Sequence, residues 1–553
     1  HNGRRRQRQM CIRDRNDIQQ IEVVRGPSSL LYANGATGGI VNIVDNTIAT
    51  SDVEKRLFKL GFETQSVNSG DGQSFSVADN LGGLNLYFSY SDSSFGNYDI
   101  PSGAVLHEEE EHHDDDHGDD DHDDHDEHEE DKGYLDNSDS AQEATRFGVS
   151  KVADWGYVGL AVSSSESIFG VPYHGEGHEG HGDEHGDEEE GHDEHEGERI
   201  FSNTESDKVN IRGQVGKVDF FFQDSDYSHT EQHAEEEHGD EHGDEDGDHD
   251  DHGHGEEGPT TFSNDSSEFG FIVDLSNDLM TQKVSLNSSD ETVKIFGDEA
   301  FMNPADREEL TIGYFAKRDF DMFEVSFGVR YDQIDTSGSL TEHHEEDGHD
   351  EDDHDEDHEE HEEETTNYSF DSSNLSFALD LSRPLNENLN LNLGYSNVER
   401  APSVVELFMN GPHLATGRFE TGDVNLGTET SSNFDIGLSY EADNTYASLT
   451  IFRNDVDNYI YLMDMHDEDD HDDHMEAMDE DDHDEDHDDH GHAEGLIPAN
   501  YMQQNAELNG YELQVGRIFN LDAGDLEVSF SRDVVNGELA DGMNIPRLSP
   551  ARN

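Results

Sequence analysis

The ten residues from Phe323 to Asp332 read FEVSFGVRYD, and their pattern decides the fold class. Apolar side chains alternate with small, polar or charged ones, which is the period of a β-strand with two different faces. The same alternation recurs between turn residues in LNLYFSYSD from Leu84, VDFFFQDSDYS from Val218, LNLNLGYS from Leu389 and ASLTIFRNDV from Ala447. Almost no stretch has the period of an amphipathic helix. The chain is therefore predicted to be all-β and antiparallel.

The charge of the chain is concentrated in five tracts. The 553 residues carry 31 Lys and Arg against 135 Asp and Glu, a formal net charge of −104. The tracts contain 77 of these acids, 33 of the 35 histidines and no Lys or Arg. They are residues 107–131, 174–198, 229–257, 342–364 and 464–494. Outside them 58 acids face 31 bases, so the chain is an ordinary acidic protein with five unusual insertions.

Composition excludes several classes of function. A surface this negative repels phosphate and offers no basic stripe, so nucleic acid is excluded as a partner. The single cysteine, Cys11, cannot form an internal disulfide or a Cys-based zinc or iron–sulfur site. No run of eighteen apolar residues predicts a membrane-spanning helix. No nucleophile elbow, P-loop, HExxH or dinucleotide motif is present, and the chain is predicted not to be an enzyme.

The positions of the tracts predict a topology. An even number of strands separates each tract from the next, and the other connections are tight turns. In an up-and-down barrel this places all five tracts on one face, which is the asymmetry of outer-membrane barrels. We count about eighteen strands, including one that begins at Pro546. The alternative is a soluble sandwich or propeller, which does not alternate long and short loops so strictly.

Residues Ile21 to Val44, IEVVRGPSSLLYANGATGGIVNIV, closely resemble the end of the plug domain of TonB-dependent outer-membrane receptors. Arg25 and Gly26 match the family's RGP element, whose arginine faces carboxylates on the inner barrel wall. The resemblance thus implies that Arg25 is a structural lock rather than a substrate contact. Tight turns in the compact plug are expected at Gly35, Gly38 and Gly39.

Later segments extend the resemblance across the barrel. They are GDEAFMNPADREELTIGYFAKRDF from Gly297, ERAPSVVELFMNGPHLATGRFETGDVNLGTETSSNFDIGLSY from Glu399, and NAELNGYELQVG from Asn505. The GPH-x-AT form and the histidine-rich loops are similar to those of the zinc-uptake branch of the family. The resemblance implies TonB-dependent active import of a transition-metal ion, zinc, across the outer membrane of a Gram-negative bacterium. The implied partners are the TonB complex, outer-membrane lipid and lipopolysaccharide, and divalent metal ions.

The resemblance also predicts the domain organisation. Residues 1–15, which read like a translated sequencing adapter, are left out of the fold. Residues 16–50 are expected to be the C-terminal part of the plug, and 51–553 a transmembrane antiparallel β-barrel. Large plugged barrels have about 22 strands. The chain is therefore expected to be truncated at both ends, without a signal peptide, a TonB box, most of the plug or the last strands.

The tracts are predicted to capture metal. Neutral imidazole and carboxylate both ligate divalent ions, and imidazole suits Zn, Cu, Fe and Ni, whereas a merely charged lid needs no histidine. Such tracts are expected to act as many weak sites that raise the local cation concentration. The tract histidines proposed as ligands are His113, His117, His122, His125, His178, His181, His249, His252, His354, His358, His471 and His474.

Ordered ligands are expected outside the repeats. His413 is the main candidate, with Glu406 and Glu420 near it in sequence; the alternative is a histidine that only packs or hydrogen-bonds in a loop. His229 and Glu231, in SDYSHTEQH, resemble a YxHxE element of the family and form the next pair. No catalytic cofactor is expected, and zinc is the transported ligand. Alternatives are nickel, copper, a metal chelate, haem or a siderophore, and, from another class, a barrel that buffers metal or adheres without transport.

Overall fold

The computed structural model describes residues 18–32, 39–101, 133–172, 200–233, 259–297, 302–343, 363–413, 416–465, 496–521 and 524–548. Nearly all of this part of the chain is β-strand, which confirms the all-β prediction. The strands before the third tract are β1 (Ile18–Val24), β2 (Ile40–Asp45), β3 (Leu57–Gln65), β4 (Gly70–Leu81), β5 (Leu84–Phe95), β6 (Tyr98–Asp99), β7 (Tyr134–Leu135), β8 (Ser140–Ala153), β9 (Gly156–Gly170), β10 (Ile200–Val215) and β11 (Val218–His233).

The remaining elements are twelve further strands, β12 to β23, and two short helices. The strands are β12 (Thr260–Asp274), β13 (Thr281–Phe296), β14 (Ala305–Asp319), β15 (Glu324–His343), β16 (Glu363–Asn386), β17 (Leu389–Arg400), β18 (Asn410–His413), β19 (Arg418–Thr421), β20 (Glu429–Ala442), β21 (Thr445–Asp464), β22 (Ile497–Leu521) and β23 (Gly524–Leu539). The helices are a 3-10 helix (Gly26–Leu31) and α1 (Val404–Phe408). No helix in the described ranges is long and apolar enough to cross a membrane.

The strands from β3 to β23, except β6 and β7, form a closed barrel. Strands β1 and β2 form a separate two-stranded sheet, and so do β6 and β7. Long strands that follow one another along the chain pair antiparallel, from β3–β4 to β22–β23. The strands that flank the five tracts therefore end at the same end of the barrel, here called the tract end. Apart from β18 and β19, the described barrel contains the seventeen long strands that the alternation predicts. Pro546 to Leu548 form a turn, not the start of another strand.

Strand β15 shows how the alternation is used. Phe327 and Tyr331 lie on the outer face and are 37% and 45% exposed. Arg330 and Asp332, the two residues that flank Tyr331, are fully buried on the inner face. Arg330 Nε donates to Asp332 Oδ2 at 2.9 Å, and Thr311 Oγ1 of β14 donates to Asp332 Oδ1 at 2.8 Å. An apolar outer face and a polar, hydrogen-bonded interior are the arrangement of a barrel wall that faces lipid.

The 3-10 helix packs against the inner wall. Leu30 forms a buried cluster with Ala378 of β16 and Val398 of β17. The helix backbone lies directly on the wall, because a Cβ atom at Gly328 of β15 would lie only 2.2 Å from the carbonyl oxygen of Pro27. A residue larger than glycine at that position would push the helix away from the wall.

Between β17 and β20 the chain makes an excursion at the tract end. Ser403 accepts a hydrogen bond from the Glu406 amide, and the Glu406 carboxylate accepts one from the Ser403 amide, a capping box that begins α1. The hairpin of β18 and β19 follows. Strand β19 then pairs in parallel with the first residues of β22, from Arg418 opposite Ile497 to Thr421 opposite Asn500. This pairing places the hairpin beside the stem of the fifth tract.

Candidate metal centre

Two of the predicted ligands lie at the end of strand β11. His229 and Glu231 are two residues apart, so both side chains point to the inner side of the wall. His229 is paired in register with Thr204 of β10 and Phe262 of β12, and Glu231 with Ser202 of β10. The two side chains are 8% and 1% exposed, respectively. The sequence pattern places these residues in the third tract, but strand β11 continues through them to His233, and residues 234–257 of that tract lie outside the described residues.

Two further predicted ligands lie in the β18–β19 hairpin. His413 ends β18 and Glu420 lies in β19, on the two arms of the hairpin. Gly417 in the turn has φ +61°, a conformation that a residue with a Cβ rarely adopts. Thr416 Oγ1 donates to the His413 carbonyl at 2.9 Å and contacts Glu420 Oε1 at 3.1 Å. The tight turn therefore brings His413 and Glu420 together.

His229, Glu231, His413 and Glu420 form one hydrogen-bonded group, here called the histidine cluster. His229 Nε2 lies 2.7 Å from Glu231 Oε1, and His413 Nε2 lies 3.7 Å from the same oxygen. His413 Nδ1 donates to Glu420 Oε1 at 3.0 Å. Residues separated by almost two hundred positions in the sequence thus meet at the tract end of the lumen.

Neighbouring side chains orient the cluster. Ser202 Oγ lies 3.0 Å from His229 Nδ1, and Tyr501 Oη donates to Glu420 Oε2 at 3.3 Å. The ring of Phe262 packs beside both imidazoles, with centroid distances of 5.5 Å to His229 and 5.4 Å to His413. No local sequence pattern marks Ser202, Phe262 or Tyr501, because only the strand register brings them to the cluster.

His413 holds a proton in this environment. Its four-residue strand is too short to cross a bilayer, which takes about nine to eleven residues. Burial lowers the pKa of His413, but hydrogen bonds to Glu231 and Glu420 and the charges of these carboxylates outweigh burial and raise it to about 9. At neutral pH the ring is therefore an imidazolium between two carboxylates. A metal ion that binds His413 must displace this proton.

Glu406 is not part of the histidine cluster, contrary to the expectation from its position near His413 in the sequence. Its carboxylate lies 2.8 Å from Arg400 Nη1 and accepts the Ser403 amide hydrogen at 2.7 Å. Arg400 Nη2 contacts Glu429 Oε2 at 3.1 Å, and Glu429 also accepts the Ile460 amide hydrogen. Arg400, Glu406 and Glu429 are here called the arginine cluster. Its carboxylates are fully occupied by a permanent cation and backbone amides.

Other predicted site residues fall into two groups. Arg25 Nη1 lies 2.9 Å from Glu512 Oε2 of β22, so it faces a carboxylate of the barrel wall. Gly26 and Gly39 have positive φ angles of +69° and +103°. Gly38 and the twelve tract histidines lie outside the described residues. They are His113, His117, His122, His125, His178, His181, His249, His252, His354, His358, His471 and His474.

The histidine cluster is arranged for hydrogen bonding as it stands. Within the ranges that the structure describes, no group of three or more His, Cys, Asp or Glu side chains has the geometry of a preformed metal site. The donor atoms contact one another through protons instead. Since donors of a tetrahedral zinc site with bonds of about 2.0–2.1 Å lie about 3.3 Å apart, the contacts of 2.7 and 3.7 Å at Glu231 Oε1 bracket that spacing.

Comparison with known proteins identifies relatives of the whole barrel. Residues 169–552 match the family described as TonB dependent receptor-like, beta-barrel. A stretch of 102 residues is 33% identical to the ferrienterobactin receptor of Escherichia coli (strain K12). That alignment covers 17% of this chain and only 14% of the relative.

Solved structures share the fold at low sequence identity. The copper transporter OprC is 12% identical with a TM-score of 0.63, covering 97% of this chain and 69% of that one. The haemophore receptor HasR of Serratia marcescens, solved with its haemophore and haem, is 12% identical with a TM-score of 0.61, covering 95% and 69%. The FrpB iron transporter of Neisseria meningitidis is 12% identical with a TM-score of 0.58, covering 97% and 70%. At this identity the likeness concerns the fold.

Proposed function

The chain belongs to the TonB-dependent receptor family, and from that membership we propose that it imports a transition-metal ion, zinc, across the outer membrane. Receptors of this family are transporters, not enzymes, and the chain is an outer-membrane protein of a Gram-negative bacterium. The proposed energy source is the TonB complex acting on the plug. The other proposed partners are outer-membrane lipid, lipopolysaccharide and the divalent ion itself.

The observation that carries the zinc proposal is the convergence of three donor atoms in the histidine cluster. They are His229 Nε2, Glu231 Oε1 and His413 Nε2, with two nitrogens and one oxygen as zinc prefers. The remaining ring nitrogens face Ser202 and Glu420, which are the outer partners that orient metal-binding imidazoles. Three protein ligands leave a fourth position open, as an exchangeable ion requires.

The confined space favours a bare ion over a chelate. Glu231 and Glu420 are 1% and 3% exposed, and the Phe262 ring packs beside both imidazoles. A siderophore or haem would need a wide contact surface, whereas a single ion needs only that the donors exchange protons for metal. The five tracts would concentrate cations above this point, a role that remains a prediction from the sequence.

Copper is the second candidate. The solved copper transporter OprC shares the fold, and intrinsic affinity for nitrogen and oxygen ligands favours Cu²⁺ over Zn²⁺. The described cluster has no sulfur donor, which argues against Cu⁺, whose preferred ligands are thiolates and thioethers. Competition between the two ions in a binding assay with the purified receptor distinguishes them.

Uptake of radiolabelled zinc by cells that lack other zinc importers tests the proposal. His413→Ala in the full-length receptor should reduce uptake even at saturating metal, because an ordered ligand is lost. Deletion of residues 466–494, which keeps Asp464 at the end of β21, should weaken uptake only when zinc is scarce, because the other tracts remain. If the deletion abolishes transport and His413→Ala behaves like the parent, His413 is only a structural loop residue and the proposed site is wrong.

A further inference from the structure

The side chain of Arg418 ties the hairpin that carries His413 and Glu420 to the end of a barrel strand. Arg418 is paired in register with His413 across the hairpin. Its Nε and Nη2 atoms donate to the two carboxylate oxygens of Asp464, at 2.8 and 3.0 Å. Asp464 is the last residue of β21, so this two-pronged contact links the hairpin to the stem of the fifth tract.

The same guanidinium also fixes the turn. Arg418 Nη1 donates to the carbonyl oxygen of Thr416, and Thr416 contacts the Glu420 carboxylate. Asp464 in turn is held by Arg547, which also donates to the Leu462 carbonyl. Arg418 therefore connects a rigid part of the barrel rim to the turn that sets the spacing of His413 and Glu420.

Backbone contacts alone hold the hairpin weakly. The parallel pairing of β19 with β22 extends over four residues, and the Ile497 amide adds one hydrogen bond to the Gly417 carbonyl. Both charged partners are largely covered, with 23% and 29% of the Arg418 and Asp464 side chains exposed. A planar guanidinium that holds a carboxylate with two parallel bonds fixes orientation as well as distance.

We propose that Arg418, through Asp464, is the positioning residue that holds His413 and Glu420 against His229 and Glu231. This inference rests on the proposed function, since the site that it positions is the proposed zinc site. Arg418 cannot ligate a cation, because its guanidinium stays protonated. It acts by raising the fraction of receptors in which the two halves of the site face each other.

Zinc titration of the full-length receptor tests the inference. Metal binds only the fraction of molecules with the hairpin in place, so Arg418→Gln should raise the half-saturating zinc concentration about tenfold. The maximal uptake per folded receptor should stay unchanged. Arg418→Lys keeps the charge but not the paired bonds. Its half-saturating zinc concentration should therefore lie between those of the parent and Arg418→Gln. A merely structural role would lower the amount of folded receptor and leave half-saturation unaltered.

Two controls isolate the contact. Arg453 of β21 makes a similar two-pronged contact with Asp455, but both side chains are more than half exposed and lie away from the hairpin. Arg453→Gln should therefore behave like the parent. Asp464→Asn should also raise half-saturation, and adding Arg418→Gln to it should have little further effect, because both changes remove the same bond.

Hydrogen exchange of the metal-free receptor tests the positioning role of Arg418 independently of whether the site binds zinc. Arg418→Gln should speed exchange at the Gly422 and Ile497 amides, whereas Arg453→Gln should not. If zinc does not bind even the parent, the proposed function fails, and faster exchange still supports the positioning role. If Arg418→Gln matches Arg453→Gln in exchange, or binds zinc with parental half-saturation, the positioning role is wrong.

Discussion

The histidine cluster and the arginine cluster each combine two carboxylates with a cation, and they differ in the cation. Both lie at the tract end, both hold two largely buried carboxylates, and both join the β17–β20 excursion to the barrel wall. In the arginine cluster the cation is Arg400. In the histidine cluster the cation is the protonated ring of His413, which has His229 beside it.

The identity of the cation decides what each cluster can do. A guanidinium remains charged at every accessible pH and has no lone pair to offer, so Arg400 can only hold Glu406 and Glu429 in place. An imidazolium can lose its proton and then bind a metal ion through the freed nitrogen. The comparison teaches that the cation partner, not the carboxylates, separates a structural cluster from a candidate transport site.

The largest effect is expected when the permanent cation is removed. Arg400→Met leaves Glu406 and Glu429 buried without a counter-charge and should destabilise the tract end by about 3–5 kcal/mol. His413→Ala should cost less stability, because Glu231 retains its contact with His229. Glu420 likewise retains its contacts with Thr416 and Tyr501. Denaturant unfolding of the purified receptor in detergent measures both. Equal losses would mean that the clusters do not differ as proposed.

The second prediction uses pH on the metal-free receptor. Because the pKa of His413 is raised to about 9 from an ordinary value of 6.5, its proton stabilises the folded hairpin fully below pH 6.5. That stability, at most about 3 kcal/mol, is lost as the pH rises to 9. Hydrogen exchange of the hairpin amides, corrected for intrinsic rates, should show the loss, and added zinc should reverse it. Amides around Arg400 serve as the control, since the cation of that cluster is a guanidinium, which stays charged in this range.

The third prediction compares one glutamate from each cluster. Glu231→Gln removes the negative charge that both imidazoles face and replaces one carboxylate oxygen with an amide nitrogen, so it should weaken zinc binding about 100-fold in calorimetry, the upper end of losses for groups around a metal. Glu406→Gln, a chemically identical change on a carboxylate held by arginine, should leave zinc affinity unaltered. Equal weakening by the two variants would show that zinc responds to the overall charge of the tract end rather than to the proposed ligands.

The smallest effect is expected from an orienting hydroxyl. Ser202→Ala removes the partner of His229 Nδ1 and should weaken zinc binding about threefold to tenfold, the size of one neutral hydrogen bond. Ser206→Ala is the matched control, because Ser206 is buried on the same strand and is separated from Ser202 by four residues. If the two variants bind zinc alike, His229 is not oriented by Ser202.

Much of the fold follows from local patterns. The alternation in FEVSFGVRYD and its equivalents predicts every long strand, because a wall between lipid and lumen demands opposite faces at consecutive residues. The strand ends were less predictable. The polar repeat of the third tract hides the continuation of β11 through Glu231, since histidine and glutamate suit a lumen-facing strand as well as a loop.

The site was predictable only in part. His229, Glu231, His413 and Glu420 stand out by type and motif, but their meeting depends on strand register and on the hairpin. Glu406 could have been separated from them, because Ser403 to Glu406 reads S-V-V-E, a capping-box pattern that claims the carboxylate for a helix start. The parallel pairing of β19 with β22, in a sheet otherwise antiparallel, has no local signature.

The contact between the 3-10 helix and the wall has a mechanical consequence. At Gly313 and Gly328 the wall presents bare backbone, and the helix carbonyls of Leu30 and Pro27 lie against it, while the Leu30 side chain packs with Ala378 and Val398. Arg25 adds an ion pair with Glu512 whose two side chains are 61% and 45% exposed, and such a pair contributes little. A force that pulls on this segment therefore has to separate the apolar contacts of Leu30, whereas the exposed ion pair adds little resistance.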